Sequence, residues 1–276
     1  MEISTRPFRK DDLSRCLLIE EHTAPKNRYF ADVADYFTTT RGELTVALAD
    51  GEPAGFGKLT VLFDGSAWLE LLRVDPQFQR RGMGMAIYRR YLEQIKDMGC
   101  PRAAMYTGVK NVASAALAEK NGLHRGREFK GMTLEVANAP KGKADGLSLA
   151  ADKDRAGFLL EPCRQAFGDT MCINHTFYQM NEGTYGGFVS QGWLYEGEGC
   201  VLALGARFQP KRALYIAGLH GDLEKGLSYA IGQAESRGVP RITTHFPRED
   251  KAMEEFYLSQ GFVQDPSDDV VMEGDF

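Results

Sequence analysis

The sequence lacks the features that mark several large classes of protein. Its five cysteines are scattered, odd in number and contain no Cys-x-x-Cys pair, which argues against a disulfide framework or a zinc site and favours free thiols in a reducing cytoplasm. The five histidines show no ligand spacing. No long apolar stretch opens the chain, so we expect neither a secretory signal nor a membrane anchor. These absences predict a cytoplasmic protein without a metal ion.

A strong charge of either sign is also missing. The net charge is −5 at pH 7, and no basic stripe suits a nucleic-acid duplex, so we expect no nucleic-acid partner. Residues 1–139 are nearly neutral, and the acidic excess lies in the remainder. That excess could attract a cationic substrate, or it could only keep the surface soluble.

The first half of the chain alternates strand and helix patterns. The dipeptide Asp50-Gly51 joins two strand patterns and predicts a tight hairpin. Residues 86–95 carry apolar side chains at helical spacing, and Gly122 is a good helix stop. The segment 137–146 is polar and rich in turn formers, which indicates a linker between two domains.

The second half repeats part of the first. The run 235–245 matches the run 97–107 in the register that places Gly238 over Gly99, an offset of 139, and the same offset aligns the ends of the following helices. A repeat of this length indicates two copies of one domain rather than a solenoid of short units. The identities are Gly99 with Gly238, Pro101 with Pro240, Arg102 with Arg241, and Gly122 with Gly261.

The run QRRGMGM, residues 79–85, stands between a strand pattern and a helix pattern. The first turn of a helix has unpaired N–H groups and a partial positive charge, and glycines let a phosphate approach them. Arg80 and Arg81 add charge, so the run predicts a phosphate-binding loop, with a plain tight turn as the alternative. The P-loop pattern is absent, and a dinucleotide fingerprint would need a small residue where Ile87 stands.

The surrounding residues resemble the GNAT acetyltransferase superfamily. Its signature is a strand, then V-x-P, then Q/R-x-x-G-x-G/A at the start of a long helix, and residues 74–84 read VDPQFQRRGMG. Asn111 and LAEKNGL (117–123) follow in the family's order, and the opening STRPFRKDDLSRCLLIE is also similar. The resemblance covers residues 1–136, and residues 242–262 resemble the end of the same domain.

The resemblance implies an α/β protein with two tandem GNAT-like domains, each a mixed, mostly antiparallel sheet flanked by helices. Residues 1–136 would bind acetyl-CoA, residues 137–146 would be the linker, and residues 147–276 would form a degenerate copy. The counterpart of the loop, GLHGDL (218–223), has lost both arginines and gained Asp222, which would repel phosphate. We therefore expect one cofactor per chain.

The resemblance also assigns roles to single residues. The pyrophosphate would sit on the amides of residues 80–84, and the strand end 72–74 would pair with the pantetheine arm. Asn111 would bond the same arm, although a helix N-cap is an equal alternative. The predicted acetyl-CoA contacts are Leu72, Arg73, Val74, Gln79, Arg80, Arg81, Gly82, Met83, Gly84 and Asn111.

Glu70 is the candidate general base. Alternation along the strand puts it on one face with Trp68, Leu72 and Val74, an odd place for a carboxylate, and family members often carry the base there. A surface glutamate on an outward face is the alternative. The family's usual tyrosine acid is replaced by Ala118, and its counterpart Tyr257 in the second half suits packing better than catalysis. Tyr106 or a water remain as candidate acids.

The predicted function is acetyl-CoA-dependent N-acetyltransfer to a primary amine of a small molecule or peptide, by direct attack in a ternary complex. The loss of the tyrosine at Ala118 supports an alternative, a non-catalytic acyl-CoA-binding or scaffolding protein. Aromatic residues in the run 27–37 could line the acceptor pocket, although a core face is the safer interpretation. No membrane partner is expected, and a homodimer is left open.

Overall fold

The computed structural model describes residues 1–26, 28–197 and 199–276. The helices are α1 Leu13–Thr23, α2 Phe30–Thr39, α3 Met83–Met98, α4 Val112–Glu119, α5 Lys153–Phe167, α6 Glu182–Ser190, α7 Leu223–Arg237 and α8 Lys251–Ser259. The strands are β1 Ile3–Pro7, β2 Gly42–Ala49, β3 Glu52–Val61, β4 Ala67–Val74, β5 Arg102–Gly108, β6 His124–Glu135, β7 Ser148–Leu149, β8 Thr170–Ile173, β9 Thr176–Gln179, β10 Leu194–Gly197, β11 Cys200–Gly205, β12 Leu214–Gly221, β13 Arg241–Pro247, β14 Val263–Gln264 and β15 Asp269–Asp275.

The chain divides into two compact units. Unit 1 comprises Met1–Met105, Val112–Arg125 and Met272–Phe276, and unit 2 comprises Tyr106–Asn111 and Gly126–Val271. This division differs from the boundaries at residues 136 and 147 that the sequence suggests, because strands β5, β6 and β15 contribute residues to both units. Each compact unit therefore combines segments that are far apart along the chain.

Unit 1 is built on a mixed sheet. Strands β1, β2, β3 and β4 pair antiparallel in that order, and β5 pairs parallel with β4. The β2–β3 turn has positive φ at both Asp50 (49°) and Gly51 (88°), as a two-residue hairpin turn of the favoured twist requires. The hairpin prediction is therefore confirmed. Phe30 of α2 packs on Phe56 of β3 with ring centroids 4.9 Å apart, and both side chains are fully buried.

The last residues of the sequence complete unit 1. The Phe276 amide donates a hydrogen bond to the Pro101 carbonyl (3.1 Å), and Glu273 forms an ion pair with the buried Arg102. Gly274 lies so close to Gly122 that an added Cβ would stand 2.5 Å from its carbonyl oxygen. These contacts fix the segment beside the start of β5 and the end of α4.

Unit 2 repeats the plan with more strands. Strand β13 pairs antiparallel with β6 and parallel with β12, and β12, β11, β10 and β7 continue the sheet antiparallel. Strand β14 pairs with β6, and β8 and β9 form a separate hairpin. Buried residues of α7 and these strands make one apolar cluster. Each unit is a mixed, mostly antiparallel sheet flanked by helices, as the sequence predicts.

The offset of 139 residues holds in the structure. It carries the bounds of β5 onto those of β13, and α3 and α7 both end in a glycine with nearly the same conformation. Gly99 has φ 65° and ψ 34°, and Gly238 has φ 65° and ψ 32°. Gly122 and Gly261 likewise share a positive φ. Glycine avoids the Cβ penalty of this left-handed conformation, which explains why the identities lie at helix ends.

The predicted linker packs closely within unit 2. The Gly142 amide donates to the Glu235 carboxylate (3.3 Å), and the Lys143 amide donates to the Ser228 carbonyl (3.0 Å). A Cβ at Gly232 of α7 would stand 2.6 Å from the Ala144 nitrogen, so glycine is required there. This segment is a fixed strap along α7, with no room for a longer side chain at the crossing.

Two further features bear on the chemistry. All five cysteines are buried and free. Within the described part of the chain, no helix has both the length and the apolar content needed to span a bilayer.

Candidate functional site

The connection from β4 to α3, residues 75–82, is anchored at its first residue. Asp75 is fully buried, its carboxylate accepts a hydrogen bond from the Gln77 amide (3.1 Å), and Arg15 pairs with it at 2.9 Å. The Gln79 side-chain amide donates back to the Val74 carbonyl (3.1 Å). These contacts hold the strand end and leave the second half of the connection exposed.

The start of α3 is open to an anion. Gly82 is the N-cap, with φ 96° and ψ −4°, and it makes no side-chain cap hydrogen bond. The first helical bond runs from the Ala86 amide to the Gly82 carbonyl (2.9 Å), so the amides of the preceding turn point outward without an intrahelical partner. Arg80, itself at φ 58°, and Arg81 are both exposed beside this turn.

The predicted loop residues divide into two groups. Arg80, Arg81 and Gly82 are exposed, whereas the Met83 side chain is only 1% exposed and belongs to the core. Gly84 serves helix packing, because an added Cβ would stand 3.0 Å from Leu117 of α4. Only the backbone of residues 83 and 84 is therefore suited to a bound phosphate, while the two arginines offer side chains.

Strand β4 contains a bulge that the sequence pattern does not predict. The register pairs Glu70 with Lys58 and Arg73 with Phe56, so Leu71 and Leu72 together stand opposite Gly57. Leu71 has φ 61°, an unfavourable conformation for a residue with a Cβ. The simple alternation that put Leu72 and Val74 on the Glu70 face is therefore wrong beyond Glu70: Arg73 takes that face instead. Bulges re-aim side chains and interrupt ladder hydrogen bonds, often next to active sites.

Glu70 lies on the interior part of β4. The Thr60 hydroxyl donates a hydrogen bond to its carboxylate (2.6 Å), and the adjacent Trp68 is 1% exposed. Across the strand pair stands Lys58, which has no exposed surface and whose ammonium donates to the Thr40 carbonyl (3.2 Å). Glu70 is half-buried, so it is not the outward surface glutamate of the alternative interpretation. The sequence-based predictions do not include Lys58, although a lysine inside the apolar run GFGKLTVLF indicates a buried charge.

The glycine pair of β3 makes room for neighbours. A Cβ at Gly57 would stand 2.0 Å from the Tyr91 hydroxyl of α3, and one at Gly55 would stand 2.9 Å from the Arg73 carbonyl. Among the described residues, the Tyr91 hydroxyl has no hydrogen-bond partner. Burial, and then nearby groups including Glu70, raise the pKa of Tyr91 well above its usual value. Gly55 and Gly57 are therefore needed for packing, whereas Gly82 lies at the exposed start of α3.

The strand edge and Asn111 are the remaining predicted contacts. Within the described part of the chain, β4 pairs with β5 only at Ala67 and Trp68, so the register does not continue along Leu72–Val74. Asn111 directly precedes α4, and its backbone amide donates to the Gly108 carbonyl (2.8 Å). Asn111 groups with unit 2 and the loop with unit 1. Its contact with the cofactor stays a prediction.

The aromatic run is mostly core, and its first residue, Asn27, lies outside the described residues. Phe30 and Phe37 are buried, as the core interpretation predicts. Tyr29 and Asp32 instead line an open pocket of about 430 Å³ together with Glu20 and Glu21. This pocket, between α1 and α2, has acidic, apolar and basic side chains in its lining, and Arg28 pairs with Glu21 there (2.8 Å).

Unit 2 has no counterpart of the exposed loop. Asp222 alone separates β12 from α7, and it is the N-cap of that helix. Its carboxylate accepts a hydrogen bond from the Lys225 amide (3.0 Å). A negative side chain therefore holds the helix start that an anion would need.

The tyrosines considered as acids have other surroundings. Tyr257 is 1% exposed, stacks on Phe246 with ring centroids 5.6 Å apart and contacts Phe262. Burial raises its pKa above the usual value, so its role is packing. Tyr106 stacks on His175 within unit 2, at 5.0 Å between centroids.

Residues 9–123 match the family model described as the acetyltransferase (GNAT) family. The matched segment holds β2, β3, β4, α3 and the exposed loop, so it includes Glu70 and residues 79–84. No curated protein matches the sequence.

Solved structures of GNAT proteins share the architecture over both units. The GCN5-related N-acetyltransferase of Sphaerobacter thermophilus has a TM-score of 0.65 at 15% identity, covering 99% of this chain and 95% of that one. A tandem GNAT protein from the clavulanic acid biosynthesis pathway has a TM-score of 0.62 at 13% identity, covering 99% and 98%. A fungal glucosamine N-acetyltransferase region has a TM-score of 0.68 at 14% identity, covering 99% of this chain and 38% of the larger one. The fold is a tandem GNAT fold.

Proposed function

We propose that this protein is an acetyl-CoA-dependent N-acetyltransferase that acts on a primary amine of a small molecule or peptide. The observation that carries the proposal is the exposed, uncapped start of α3 beside Arg80 and Arg81. It lies within the segment that matches the GNAT family model. When bound, acetyl-CoA supplies the acetyl group as an activated thioester.

The chain offers a fitting cradle for the pyrophosphate of CoA. Unpaired amides at a helix N-terminus and two guanidinium groups are suited to a doubly charged anion. Gly82 gives the backbone close access, and no acidic residue occupies the first turn of α3. The unpaired edge at Leu72–Val74 would accept the amide-rich pantetheine arm, as a sheet edge accepts a peptide.

Glu70 is proposed as the general base. An amine nucleophile is mostly protonated at neutral pH, and a positioned carboxylate can take its proton directly or through a water. The Thr60 hydroxyl donates to one of its carboxylate oxygens and holds the side chain in place. The bulge after Glu70 interrupts the strand ladder at Leu71 and Leu72, so backbone amides beside the base are available to polarise a carbonyl.

The burial of the cysteine thiols favours direct attack by the amine over a covalent acetyl-cysteine intermediate. A covalent acetyl-enzyme would need an accessible thiolate. Burial, with smaller effects from nearby charged groups, raises the pKa of Cys16 to about 12, and burial raises the pKa of Cys163 to about 12. All five thiols are buried. We therefore propose a ternary complex of enzyme, acetyl-CoA and amine.

A second candidate is a non-catalytic acyl-CoA-binding or scaffolding protein. Ala118, which is fully buried, stands where the family usually has a tyrosine acid. A thiol leaving group has a conjugate-acid pKa of about 8.5, so protonation helps the reaction without being obligatory. Unit 2 is proposed to be a degenerate copy in either case, because Asp222 blocks its helix start.

The deciding experiment incubates the protein with acetyl-CoA and a panel of polyamines, aminoglycosides, amino acids, glucosamine and peptide N-termini. Free thiol and the mass of the acceptor are followed together. We expect thiol release matched by an acceptor heavier by one acetyl group. Saturable CoA binding without release across the panel would favour the binding protein, and absence of CoA binding would overturn both candidates.

A further inference from the structure

Unit 2 contains a compact cluster of two histidines and a carboxylate. His175, His245 and Asp265 each offer one ligand atom, and these atoms lie within 4.8 Å of one another. His175 belongs to the β8–β9 turn, His245 to β13, and Asp265 to the connection between β14 and β15. Three separate segments therefore converge, which no local spacing in the sequence reveals.

His245 is the most informative member. It is 2% exposed, and neither ring nitrogen has a hydrogen-bond partner among the described residues. Asp269 Oδ2 lies 3.6 Å from its Nε2, beyond hydrogen-bond distance. A buried polar group without a partner is unfavourable, which indicates a ligand at this position.

His175 is oriented toward the cluster by its turn and by a carboxylate. The two turn residues, Asn174 and His175, both have positive φ (53° and 50°), where glycine would normally be favoured at the second position. Its Nδ1 lies 3.0 Å from Asp269 Oδ2 and donates to it, so Nε2 keeps its lone pair. Metal-bound histidines commonly donate their other ring nitrogen to a carboxylate in this way.

Gly131 leaves the space between the ligands open. An added Cβ would stand 2.3 Å from Asp265 Oδ2 and 3.0 Å from His245 Nε2. The Thr133 hydroxyl donates to the other Asp265 oxygen (3.2 Å), and the Asp265 amide donates to the Gly131 carbonyl (2.9 Å). The carboxylate is thus held with one oxygen facing His245.

We propose that His175, His245 and Asp265 bind a divalent transition-metal ion, with Zn²⁺ as the best-matched member of the class, and that Asp269 positions His175. Imidazole nitrogens and a carboxylate are zinc ligands at about 2.0–2.2 Å, which separates tetrahedral ligand atoms by about 3.3–3.6 Å. The ligand atoms, which lie within 4.8 Å of one another, would have to move closer together to reach that spacing. Three protein ligands leave the fourth position for water. This proposal departs from the expectation from the sequence that the chain has no metal site.

The test measures zinc content and affinity of the tag-free, full-length protein after treatment with a chelator. We expect one Zn²⁺ per chain and a Co²⁺ derivative with the strong visible bands of tetrahedral coordination. H245A should abolish both the zinc binding and the visible bands of the Co²⁺ derivative. H175G should abolish both as well while keeping the fold, because glycine suits the positive φ of this turn. H124A, which removes an exposed histidine elsewhere, is the matched control and should bind normally.

The positioning role of Asp269 has its own readout. D269N should weaken Zn²⁺ binding by about 10- to 100-fold without removing it, as loss of a carboxylate partner of a metal-bound histidine does. Wild-type protein that binds less than one Zn²⁺ per chain would overturn the proposal. So would a folded H175G protein with wild-type affinity. Neither zinc binding nor the effect of D269N depends on acetyl transfer. Failure of the metal proposal can therefore be distinguished from failure of the proposed function.

Discussion

The two units share a helix frame and differ where strand leads into helix. In unit 1, residues 75–82 separate β4 from α3 and end in Gly82, which has no side-chain cap. In unit 2, Asp222 alone separates β12 from α7 and caps it. Both helices carry a partial positive charge at this end. The start of the helix is open in unit 1, whereas the Asp222 carboxylate occupies it in unit 2.

This difference shows that the arrangement of strands and helices does not depend on the connection that precedes the helix. The strands β5 and β13, and the glycine caps Gly99 and Gly238, agree in detail between the units. Among the described residues of unit 2, no exposed loop stands between β12 and α7. The two units therefore keep the same strands and helices around two different strand-to-helix connections.

The largest effect should come from the candidate base. E70Q removes the proton acceptor while keeping the shape and the Thr60 contact, so turnover should fall by about 10²- to 10⁴-fold. The dissociation constant for CoA should remain that of the wild type. Steady-state rates across pH and calorimetric CoA binding would check both. Unchanged turnover at every pH would exclude Glu70 as the base.

The next effect concerns the anion site of unit 1. Each charge-assisted hydrogen bond contributes about 1.5–3 kcal/mol when well formed and less at an exposed site. R80A/R81A should therefore weaken CoA binding by about 10- to 100-fold. R89A, which removes an exposed arginine further along α3, is the control and should bind normally. If R89A weakened CoA binding as much as R80A/R81A does, the cause would be the overall charge rather than the loop.

Where the units agree, the same mutation should have the same result. Gly99 and Gly238 have left-handed conformations, and nothing lies within 4 Å of an added Cβ at either one. G99A and G238A should each lower the free energy of unfolding by about 1–2 kcal/mol, the cost of that conformation for a residue with a Cβ. Denaturant unfolding of both variants would measure it. A clear difference between them would show that the two frames are not equivalent.

Where the units differ, a mutation in unit 2 should affect stability alone. D222A removes the cap of α7 and should cost about 0.5–2 kcal/mol of stability. CoA binding should not change, because unit 2 is proposed to hold no cofactor. D222N, which can still cap, should restore most of the stability. Altered CoA affinity in D222A would contradict the single-site expectation.

The smallest effect is a lack of reactivity that both units share. Burial, with smaller contributions from nearby charged groups, raises the pKa of Cys16 in unit 1 to about 12, and burial raises that of Cys163 in unit 2 to about 12. Because thiolates are the reactive species, a disulfide reagent at mildly alkaline pH should label neither until the protein is unfolded. Rapid labelling of the native protein would show that these thiols are accessible.

The sequence predicts those parts of the fold that depend on neighbours along the chain. Asp50-Gly51 predicts its hairpin because both residues tolerate positive φ, and Gly99 and Gly122 predict helix ends for the same reason. The apolar stripe of α3 predicts its buried face. The repeat is visible because these local requirements recur at one offset.

Features that depend on pairing across the fold could not be predicted. The bulge at Leu71 arises from register with β3, where Gly57 yields space to Tyr91, and no local pattern in β4 announces it. The histidine cluster joins residues that are far apart along the chain. Glu70 is half-buried and its role as the base stays a prediction, whereas its opposite neighbour Lys58 follows only from the register.

The place of Met272–Phe276 in unit 1 has a consequence for how the protein is made. Its contacts with Pro101, Arg102 and Gly122 finish the part of the sheet that begins at residue 1. The ribosome makes residues 126–271 of unit 2 before it makes these five residues. Unit 1, although most of it is synthesised first, therefore lacks this segment until unit 2 has been made, so the order of synthesis and the order of completion are reversed.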